Sequence, residues 1–181
     1  ERVELAFLKE DIPALMRESR EGIVRVRKIV QDLKDFSHVD ATLEWQFAEL
    51  VRCIDSTVNV VNNEIKYKAD VVREYVAVPD VKCHASEINQ VIMNLLVNAA
   101  QAIGPERGTI TIRNGTDGMR VWFEIGDNGC GIEKASLARI FDPFYTTKPV
   151  GKGTGLGLSI SYGIVQKHHG QIHVRSEIGK G

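Results

Sequence analysis

Two asparagines lie one helical turn apart in the stretch 86–103. Asn94 and Asn98 share a face with Glu87 and Gln101, and the opposite face carries an apolar stripe of helical spacing, predicted to face the core: Ile88, Ile92, Leu95, Ala99, Ala102 and Ile103. Asparagine is a middling helix former whose amide needs partners when buried, so stability does not explain the pair. An amide carbonyl is a neutral oxygen ligand that suits Mg²⁺, an ion that usually binds together with substrate phosphates. An ordinary amphipathic helix with a solvated polar face explains the two asparagines alone equally well.

A second candidate is the run D-N-G-C-G-I at residues 127–132, directly after a predicted strand. Gly129 and Gly131 let the backbone turn tightly and leave room for a flat ligand. The carboxylate of Asp127 is suited to accept a hydrogen bond from the exocyclic amine of an adenine. Calcium loops and plain turns also produce this pattern, so the run by itself is a weak signal.

The third candidate is the glycine-rich segment 140–160. Phe141 and Phe144 flank Pro143, and four alternate glycines then lead into a helix predicted over 158–168: Gly151, Gly153, Gly155 and Gly157. A glycine-rich loop that feeds a helix N-terminus favours an anion, because unpaired N–H groups and the positive end of the helix dipole coincide. Lys148 and Lys152 add positive charge. The spacing matches neither a Walker loop nor a dinucleotide fingerprint, which predicts a nucleotide cradle of another kind.

A long helix precedes these motifs. It is predicted to begin near Asp11 and Pro13 and to run to about residue 37, with an apolar seam of coiled-coil type: Ile23, Val26, Val30 and Leu33. A narrow seam needs a partner helix from another segment or another chain, as in a four-helix dimer. Packing on the following domain is the alternative. Residues 37–44 break the period and are predicted to be a linker.

After the linker, the elements are mixed. The pattern predicts a strand at 44–47, a helix at 48–63, strands at 71–78 and 81–84, the asparagine helix, and a hairpin with strands 109–114 and 121–127. Because strands and helices do not alternate strictly, we expect an α+β fold. It should be a two-layer sandwich with a mixed, largely antiparallel sheet covered by helices on one face.

Composition limits the classes of partner. The 181 residues have a formal net charge of -1, which gives no electrostatic reason to expect nucleic acid or an anionic membrane surface. No run is long and apolar enough to span a bilayer, and the first residues do not show the charged-then-apolar pattern expected of a signal peptide. The three cysteines have no paired metal spacing, which indicates free thiols in a reducing compartment, so the expected location is cytoplasmic. The chain opens and closes in mid-pattern and is expected to be part of a longer protein.

Four motifs occur in a specific order: N-L-L-V-N-A at 94–99, D-N-G-C-G at 127–131, F-D-P-F at 141–144 and G-T-G-L-G at 153–157. Together they resemble the N, G1, F and G2 boxes of sensor histidine kinases of two-component systems. The resemblance to the catalytic domain and its Bergerat-type ATP-binding fold covers residues 42–181. Residues 1–41 resemble the second helix of the dimerisation and histidine-phosphotransfer domain. The runs N-A-A-Q-A and P-F-Y-T-T-K resemble the nitrogen-regulator-like subgroup.

The resemblance implies ATP and Mg²⁺ as ligands. Asn98 matches the metal ligand, and Asn94 matches its neighbour, which helps to hold the metal and phosphates; both count as catalytic. Asp127 matches the carboxylate that selects adenine, and residues 133–154 match a mobile lid. The implied nucleotide-binding positions are Asn94, Asn98, Gln101, Asp127, Gly129, Gly131, Ile132, Phe144, Thr147, Lys148, Lys152, Gly153, Thr154, Gly155, Leu156, Gly157 and Leu158. Catalysis would be phosphoryl transfer by positioning and charge neutralisation.

Two features depart from the family pattern. None of the five histidines lies in the family's acceptor context, and each is expected to be structural: His38, His84, His168, His169 and His173. The phosphoacceptor is therefore expected upstream of Glu1. The family also continues past the G-K-G at 179–181 into a threonine and a last strand, which predicts a truncated C-terminal strand. The implied partners are a response-regulator receiver domain and a second copy of the parent protein, whose membrane anchoring stays open.

Other classes share this fold. In the ATPase modules of DNA gyrase, the MutL repair protein and a heat-shock chaperone, the position matching Asn94 is a glutamate that activates water. An amide cannot accept that proton, so we expect poor hydrolysis and transfer to a separate acceptor. Serine kinases of the mitochondrial dehydrogenase-kinase or anti-sigma type do not normally carry the seam helix. A module that binds nucleotide only to regulate a partner is the non-enzymatic alternative.

Overall fold

The computed structural model describes residues 11–13, 15–20, 22–23, 26–27, 44–149 and 153–181. By its internal contacts the chain divides into two compact units. The first unit comprises Glu1–Ala41 with Thr147–Thr154, and the second comprises Thr42–Thr146 with Gly155–Gly181.

The first unit is helical at all its described N-terminal positions, 11–13, 15–20, 22–23 and 26–27, which confirms the predicted helix there. Ile23 and Val26 of the predicted seam are exposed. The other two seam residues and the predicted linker up to residue 43 lie outside the described residues. The partner helix that the seam requires therefore stays a prediction.

The second unit contains five strands and four helices in its described residues. They are β1 (Gln46–Ala48), α1 (Leu50–Ile65), β2 (Ala69–Glu74), β3 (Val81–Cys83), α2 (Ala85–Ala102), β4 (Gly108–Thr116), β5 (Val121–Asp127), α3 (Lys134–Leu137) and α4 (Gly157–Lys167). The predicted element types are confirmed, with bounds shifted by at most four residues. None of the helices in the described part of the chain has the length and apolar character needed to cross a bilayer.

The strands form two sheets. β1 pairs with β3 antiparallel, and β4 lies between β2, its parallel neighbour, and β5, its antiparallel neighbour. The mixed sheet is thus confirmed, but β2 ends at Glu74 and not at residue 78 as predicted. Beyond Glu74 the amide of Asn114 takes over the pairing, because it accepts from the Val76 N–H and donates to the Val76 carbonyl, both at 2.9 Å.

The core lies between the three-stranded sheet and the helices. Along β4, Ile110 and Ile112 point inward and are fully buried, as the period of two requires. They meet Ile54 of α1 and Ile92 and Leu96 of α2, which are also fully buried. Burying each such side chain stabilises the fold by roughly 1.5–3 kcal/mol relative to leaving it exposed. The same cluster fixes α2 in place, and α2 carries the two asparagines.

The buried face of α2 is wider than predicted. Ile92, Ala99 and Ile103 are buried as expected, and Ile88, Leu95 and Ala102 are only half-buried, whereas three residues outside the predicted stripe are buried: Val91, Leu96 and Ala100. The reason is that α2 has neighbours on two sides, with α1 and the sheet on one and α4 on the other.

Glu87 lies on the same side of α2 as Asn94, as predicted, and it is only 8% exposed. Its carboxylate pairs with Lys167 of α4. A buried carboxylate needs such a partner, since taking an unpaired charge out of water is costly.

Candidate functional site

Helices α2 and α4 pack against each other in antiparallel directions. Asn94 contacts Gly157 at the start of α4, while Glu87, two turns earlier on α2, contacts Lys167 at the end of α4. The end of the glycine-rich segment therefore lies directly against the asparagine face of α2. Two of the three sequence motifs that predicted a ligand are brought together by this pairing.

Asn94 makes its contacts through its amide nitrogen. Nδ2 donates to the carbonyl of Gly157 at 3.1 Å and to the Oγ of Ser161 at 3.3 Å. Ser161 is fully buried and donates its own hydroxyl hydrogen to the same Gly157 carbonyl at 2.9 Å. The polar face of α2 is thus not simply solvated at Asn94, because part of it is covered by α4.

Asn98 and Gln101 continue the same face toward the C-terminus of α2. Asn98 is half-buried and Gln101 is exposed. Both side chains have further interactions in the structure. Asn98 therefore offers an amide oxygen from a partly enclosed position. Such an oxygen suits Mg²⁺ when phosphates and waters supply most of the other ligands.

The donor chemistry fits Mg²⁺ that arrives with phosphates. Within the described ranges no group of three or more His, Cys, Asp or Glu side chains could hold a metal ion. Two neutral amides one turn apart, next to a helix N-terminus, suit a cation whose charge is balanced by its substrate and whose remaining ligands are waters.

Asp127 ends β5 and begins the loop of the second motif. Its Oδ1 accepts from the N–H of Gly129 at 2.9 Å, and the side chain is half-buried. Burial raises the pKa of the Asp127 carboxyl above its ordinary value, and the hydrogen bond from Gly129 offsets part of that shift. A half-buried carboxylate at a strand end is a suitable acceptor for an amine donor on a ligand.

The loop after Asp127 is held against the C-terminus of α2. The Cys130 N–H donates to the Ala102 carbonyl at 3.0 Å, which also satisfies one of the terminal carbonyls of the helix. A Cβ on Gly129 would lie 2.6 Å from the Ala102 carbonyl carbon. Gly129 is therefore required by the close approach of the loop to α2.

Gly131 is required for a different reason. Its φ is +71°, a left-handed conformation that favours glycine, and a Cβ there would lie 2.3 Å from the Glu177 carbonyl oxygen. The expected tight turn is confirmed. A Cβ at either glycine would meet protein backbone, and a flat ligand bound beside this loop stays a prediction.

The third motif is closed on itself by Phe144 and Gly155. The Phe144 N–H donates to the Gly155 carbonyl at 2.9 Å, and both residues have positive φ, 66° and 69°. A bulky residue with positive φ is a genuine outlier, and such conformations cluster at functional sites. Phe144 is also 62% exposed. The fold therefore holds an aromatic side chain in solvent at an unfavourable backbone conformation.

The remaining predicted phosphate-loop residues divide between the two units. Thr147, Lys148, Gly153 and Thr154 belong to the first unit, and Lys152 lies outside the described residues. In the second unit, Leu156 is buried just before α4, Leu158 is half-buried in its first turn, and Ile132 is half-buried in the loop after β5. A lid formed by residues 133–154 stays a prediction.

The histidines in the described part of the chain have structural contacts or lie apart from the asparagines. His84 and His168 are packed with Trp45, with ring centroids 4.4 Å and 4.9 Å from the Trp45 ring. The backbone N–H of His84 donates to Nε2 of His168 at 3.1 Å. Nδ1 of His168 therefore carries the ring proton and donates to the Ile164 carbonyl at 2.8 Å. His169 and His173 are exposed, and His38 lies outside the described residues.

Sequence reasoning missed three of the polar residues that shape this site. Ser161 contacts Asn94, Ser176 accepts from the Ile132 N–H at 2.7 Å, and Lys167 pairs with Glu87 at 2.6 Å. The serine pair in S-I-S at 159–161 was a usable signal, since two serines in an apolar helix need acceptors or donors. The Glu87–Lys167 pair gave no local signal, because its members lie 80 positions apart.

A groove elsewhere on the second unit does not involve these residues. It has a volume of about 580 Å³ and is lined by Glu74, Arg113, Gly115 and Trp122 among others, at the ends of β2 and β4 and the start of β5. None of its lining residues is a predicted site residue. The candidate site is therefore defined by the converging polar groups on α2, the β5 loop and α4.

Comparison with known proteins gives consistent results. Residues 83–181 match the family described as histidine kinase-, DNA gyrase B- and HSP90-like ATPases. The signal transduction histidine-protein kinase AtoS of Escherichia coli is 35% identical over 160 residues, and sensor kinase CckA of Brucella abortus is 45% identical over 116 residues. These alignments cover 86% and 56% of this chain but only 26% and 12% of the relatives, so the chain spans about a quarter of those proteins or less.

The solved structures that are similar to this chain include two of histidine kinase ThkA. The catalytic domain of histidine kinase ThkA has a TM-score of 0.62 at 31% identity, covering 69% of this chain and 82% of that domain. ThkA in complex with the response regulator protein TrrA has a TM-score of 0.67 at 28% identity, covering 82% of this chain and 42% of the ThkA chain.

Proposed function

This chain belongs to the histidine kinase-, DNA gyrase B- and HSP90-like ATPases, as the catalytic ATP-binding domain of a sensor histidine kinase, and we propose that it transfers the γ-phosphoryl group of Mg·ATP to a histidine. ATP binding follows from the family. The metal, the roles of individual residues and the acceptor are the proposed parts. The nitrogen-regulator-like subgroup stays a prediction.

The single observation that carries the proposal is the contact between the asparagine face of α2 and the start of α4. Asn94 and Gly157 are joined by a 3.1 Å hydrogen bond, so the polar face and the glycine-rich segment meet at one place. Mg²⁺, when bound, would neutralise charge on the phosphates and the departing ADP. Asn98 would hold the metal, with Asn94 beside it orienting the metal and the phosphates.

The adenine end of the nucleotide is assigned to Asp127. Its carboxylate is half-buried at the end of β5 and has one hydrogen bond, from Gly129. A carboxylate with two oxygens retains acceptor capacity for the amine of adenine. Because guanine offers a carbonyl where adenine offers that amine, Asp127 would select ATP over GTP.

The phosphate end is assigned to the backbone that leads into α4. Gly155, Leu156 and Gly157 precede or begin the helix, whose unpaired N–H groups favour an anion. Phe144, Thr147, Lys148, Lys152, Gly153 and Thr154 keep the nucleotide-binding roles that the sequence resemblance implies. With the nucleotide positioned in this way, the γ-phosphorus–oxygen bond breaks toward ADP and a phosphorus–nitrogen bond forms to the acceptor imidazole.

The clamp ATPases are the second candidate, and Asn94 argues against them. Its amide nitrogen donates to two acceptors on α4, Gly157 O and Ser161 Oγ. An amide held in this way cannot take a proton from water, so it does not act as a general base. Transfer to a separate acceptor is therefore favoured over hydrolysis.

The wider role of the parent protein is proposed from its relatives. A histidine kinase similar to this chain has been solved in complex with a response regulator protein. We propose a response-regulator receiver domain as the onward acceptor of the phosphoryl group, dimerisation through the N-terminal helix, and a cytoplasmic location. Ile23 and Val26 are exposed, and they are the described part of the seam that a partner helix would cover.

A binding experiment tests the nucleotide and metal roles. The chain is titrated with the non-hydrolysable analogue AMPPNP by calorimetry, once with Mg²⁺ and once with EDTA. Asn98→Ala should weaken the magnesium-dependent part of the affinity by about ten-fold or more and leave the EDTA titration unchanged. Asn59→Ala, which removes an exposed amide from the middle of α1, is the matched control and should match the unsubstituted chain. If Asn98→Ala bound Mg·AMPPNP normally, the metal assignment would be wrong.

A second experiment separates transfer from hydrolysis. The chain is joined to a helical segment of a related sensor kinase that carries an acceptor histidine, and is incubated with γ-labelled ATP. Acid-labile, base-stable label on that segment is the expected result, with little ADP released by the chain without it. Rapid ADP release without an acceptor would instead support the clamp ATPase class.

A further inference from the structure

Ser161 is a buried serine that contacts Asn94 in addition to the backbone carbonyl that already satisfies its hydroxyl hydrogen. It is 0% exposed and lies one turn into α4, four residues after Gly157. A buried serine on a helix can satisfy itself by donating to the carbonyl four residues earlier, and Ser161 does so, to Gly157 O at 2.9 Å. That bond uses its only hydrogen, so toward any other group its oxygen acts as an acceptor.

The group it accepts from is the amide of Asn94. Nδ2 of Asn94 lies 3.3 Å from Ser161 Oγ and 3.1 Å from Gly157 O. A carbonyl oxygen can only accept, so the amide nitrogen and not the amide oxygen must face α4. With Nδ2 directed to these two acceptors, Oδ1 lies beside the start of α4, 3.8 Å from the position that a Cβ on Gly157 would take.

We propose that Ser161 is a positioning residue that fixes the amide of Asn94, so that Oδ1 is presented as an acceptor on the metal and phosphate side. This inference rests on the proposed function, because it assumes that Asn94 acts on Mg·ATP. The terminal torsion of asparagine is broad and roughly two-fold, so neighbours must choose its orientation. Gly157 O and Ser161 Oγ both accept from Nδ2, so removing the Ser161 hydroxyl takes away one of the two contacts that hold the amide nitrogen toward α4.

Ser159 provides a matched control on the same helix. It is buried as well, and its hydroxyl donates to the Leu156 carbonyl at 2.9 Å, but its hydrogen bond does not involve Asn94. Ser159→Ala and Ser161→Ala therefore remove equivalent buried hydroxyls, each with a bond to the backbone of the first turn. Only the second substitution removes a partner of the asparagine.

The experiment measures AMPPNP affinity by calorimetry at several Mg²⁺ concentrations. Ser161→Ala should weaken the magnesium-dependent affinity by about three- to ten-fold, the range expected for one hydrogen bond, and leave affinity in EDTA unchanged. Ser159→Ala should change neither by more than about 1.5-fold. Ser161→Cys keeps the volume but supplies a weaker acceptor, so its effect should be intermediate.

A double-substitution cycle decides whether Ser161 acts through Asn94. In the Asn94→Ala background, Ser161→Ala should have no further effect on Mg·AMPPNP affinity. Equal effects of Ser161→Ala with and without Asn94, or equal effects of the two serine substitutions, would overturn the inference. Thermal melts of each variant separate binding from unfolding, and the near-isosteric Ser161→Cys retains the test if Ser161→Ala does not fold. Failure of the unsubstituted chain to bind Mg·AMPPNP would instead count against the proposed function itself.

Discussion

The two ends of the α2–α4 helix pair are held by different chemistry. Near the start of α4 the contacts are neutral, since an amide, a hydroxyl and a carbonyl join Asn94, Ser161 and Gly157. At the other end Glu87 pairs with Lys167 at 2.6 Å, with 10% and 28% of their side chains exposed. His168 is close by, 3.8 Å from the second oxygen of Glu87.

This difference fits the roles proposed for the two ends, which are ligand binding at the asparagines and helix pairing at Glu87. A charged pair next to the asparagines would compete with a bound cation or its phosphates, whereas neutral groups orient an amide without adding a field. Away from the ligand, a buried charge pair penalises any other register, because a shift would leave each charge without its partner. The charged end thus fixes how the helices pair, and the neutral end uses that pairing.

Removing Glu87 should have the largest effect on stability. Glu87→Ala leaves Lys167 without its partner, and since Lys167 can still reach water, we expect a loss of about 2–3 kcal/mol, below the upper range for buried pairs. Urea denaturation measures the loss. Affinity for Mg·AMPPNP should remain within about two-fold, because Glu87 lies two helical turns from Asn94 and at the other end of α4.

Glu64→Ala is the control for Glu87→Ala, since Glu64 is an exposed glutamate on α1. Its effect on the free energy of unfolding should stay within about 0.5 kcal/mol. If Glu87→Ala left stability unchanged but abolished nucleotide binding, the division of roles between the two ends would be wrong.

Removing Asn94 should show the opposite balance. Asn94→Ala should weaken Mg·AMPPNP about ten-fold, which corresponds to about 1.4 kcal/mol, and lower the free energy of unfolding by about 1 kcal/mol or less. Calorimetry and urea denaturation on the same preparation give both quantities. A stability loss as large as that of Glu87→Ala, with no change in affinity, would make the neutral end structural as well.

The smallest expected effect is a pH dependence at Asp127. An ordinary aspartate has a pKa near 3.9. Burial raises the pKa of the Asp127 carboxyl above that value, so this carboxylate takes up a proton at a higher pH. The raised pKa means that the folded state binds this proton more tightly than the unfolded state. The contribution of Asp127 to stability therefore falls as the pH rises from the unfolded pKa through the raised pKa of the folded state. The ionised form is the better acceptor for adenine, and ATP affinity should therefore fall as pH is lowered toward the raised pKa.

Calorimetry from pH 7 downward measures this dependence. Asp127→Asn should remove this pH dependence and lower the affinity for ATP. Affinity for Mg·pyrophosphate, which lacks the adenine base, should stay the same. A pH dependence that persists in Asp127→Asn would assign the proton to another group.

Much of the fold was accessible from local pattern. Spacings of three and four predicted α1 and α2 because a helix with one apolar face must bury it, and alternation predicted β4 because its inward residues are apolar. The end of β2 was not accessible, since it depends on the Asn114 side chain replacing backbone pairing at Val76. The candidate site was predicted as three separate motifs, and no sequence pattern showed which of them touch.

The order of the motifs, the face of α2 that carries Asn94 and Asn98, and the tight turn at Gly131 could all be read from the sequence. Only the tertiary structure decided what covers that face, because Asn94 meets Gly157 and Ser161 across 63 and 67 positions of sequence. Periodicity records which residues turn inward. The partner that each polar group finds there depends on how distant elements pack, and for Asn94 that packing sets the orientation of its amide.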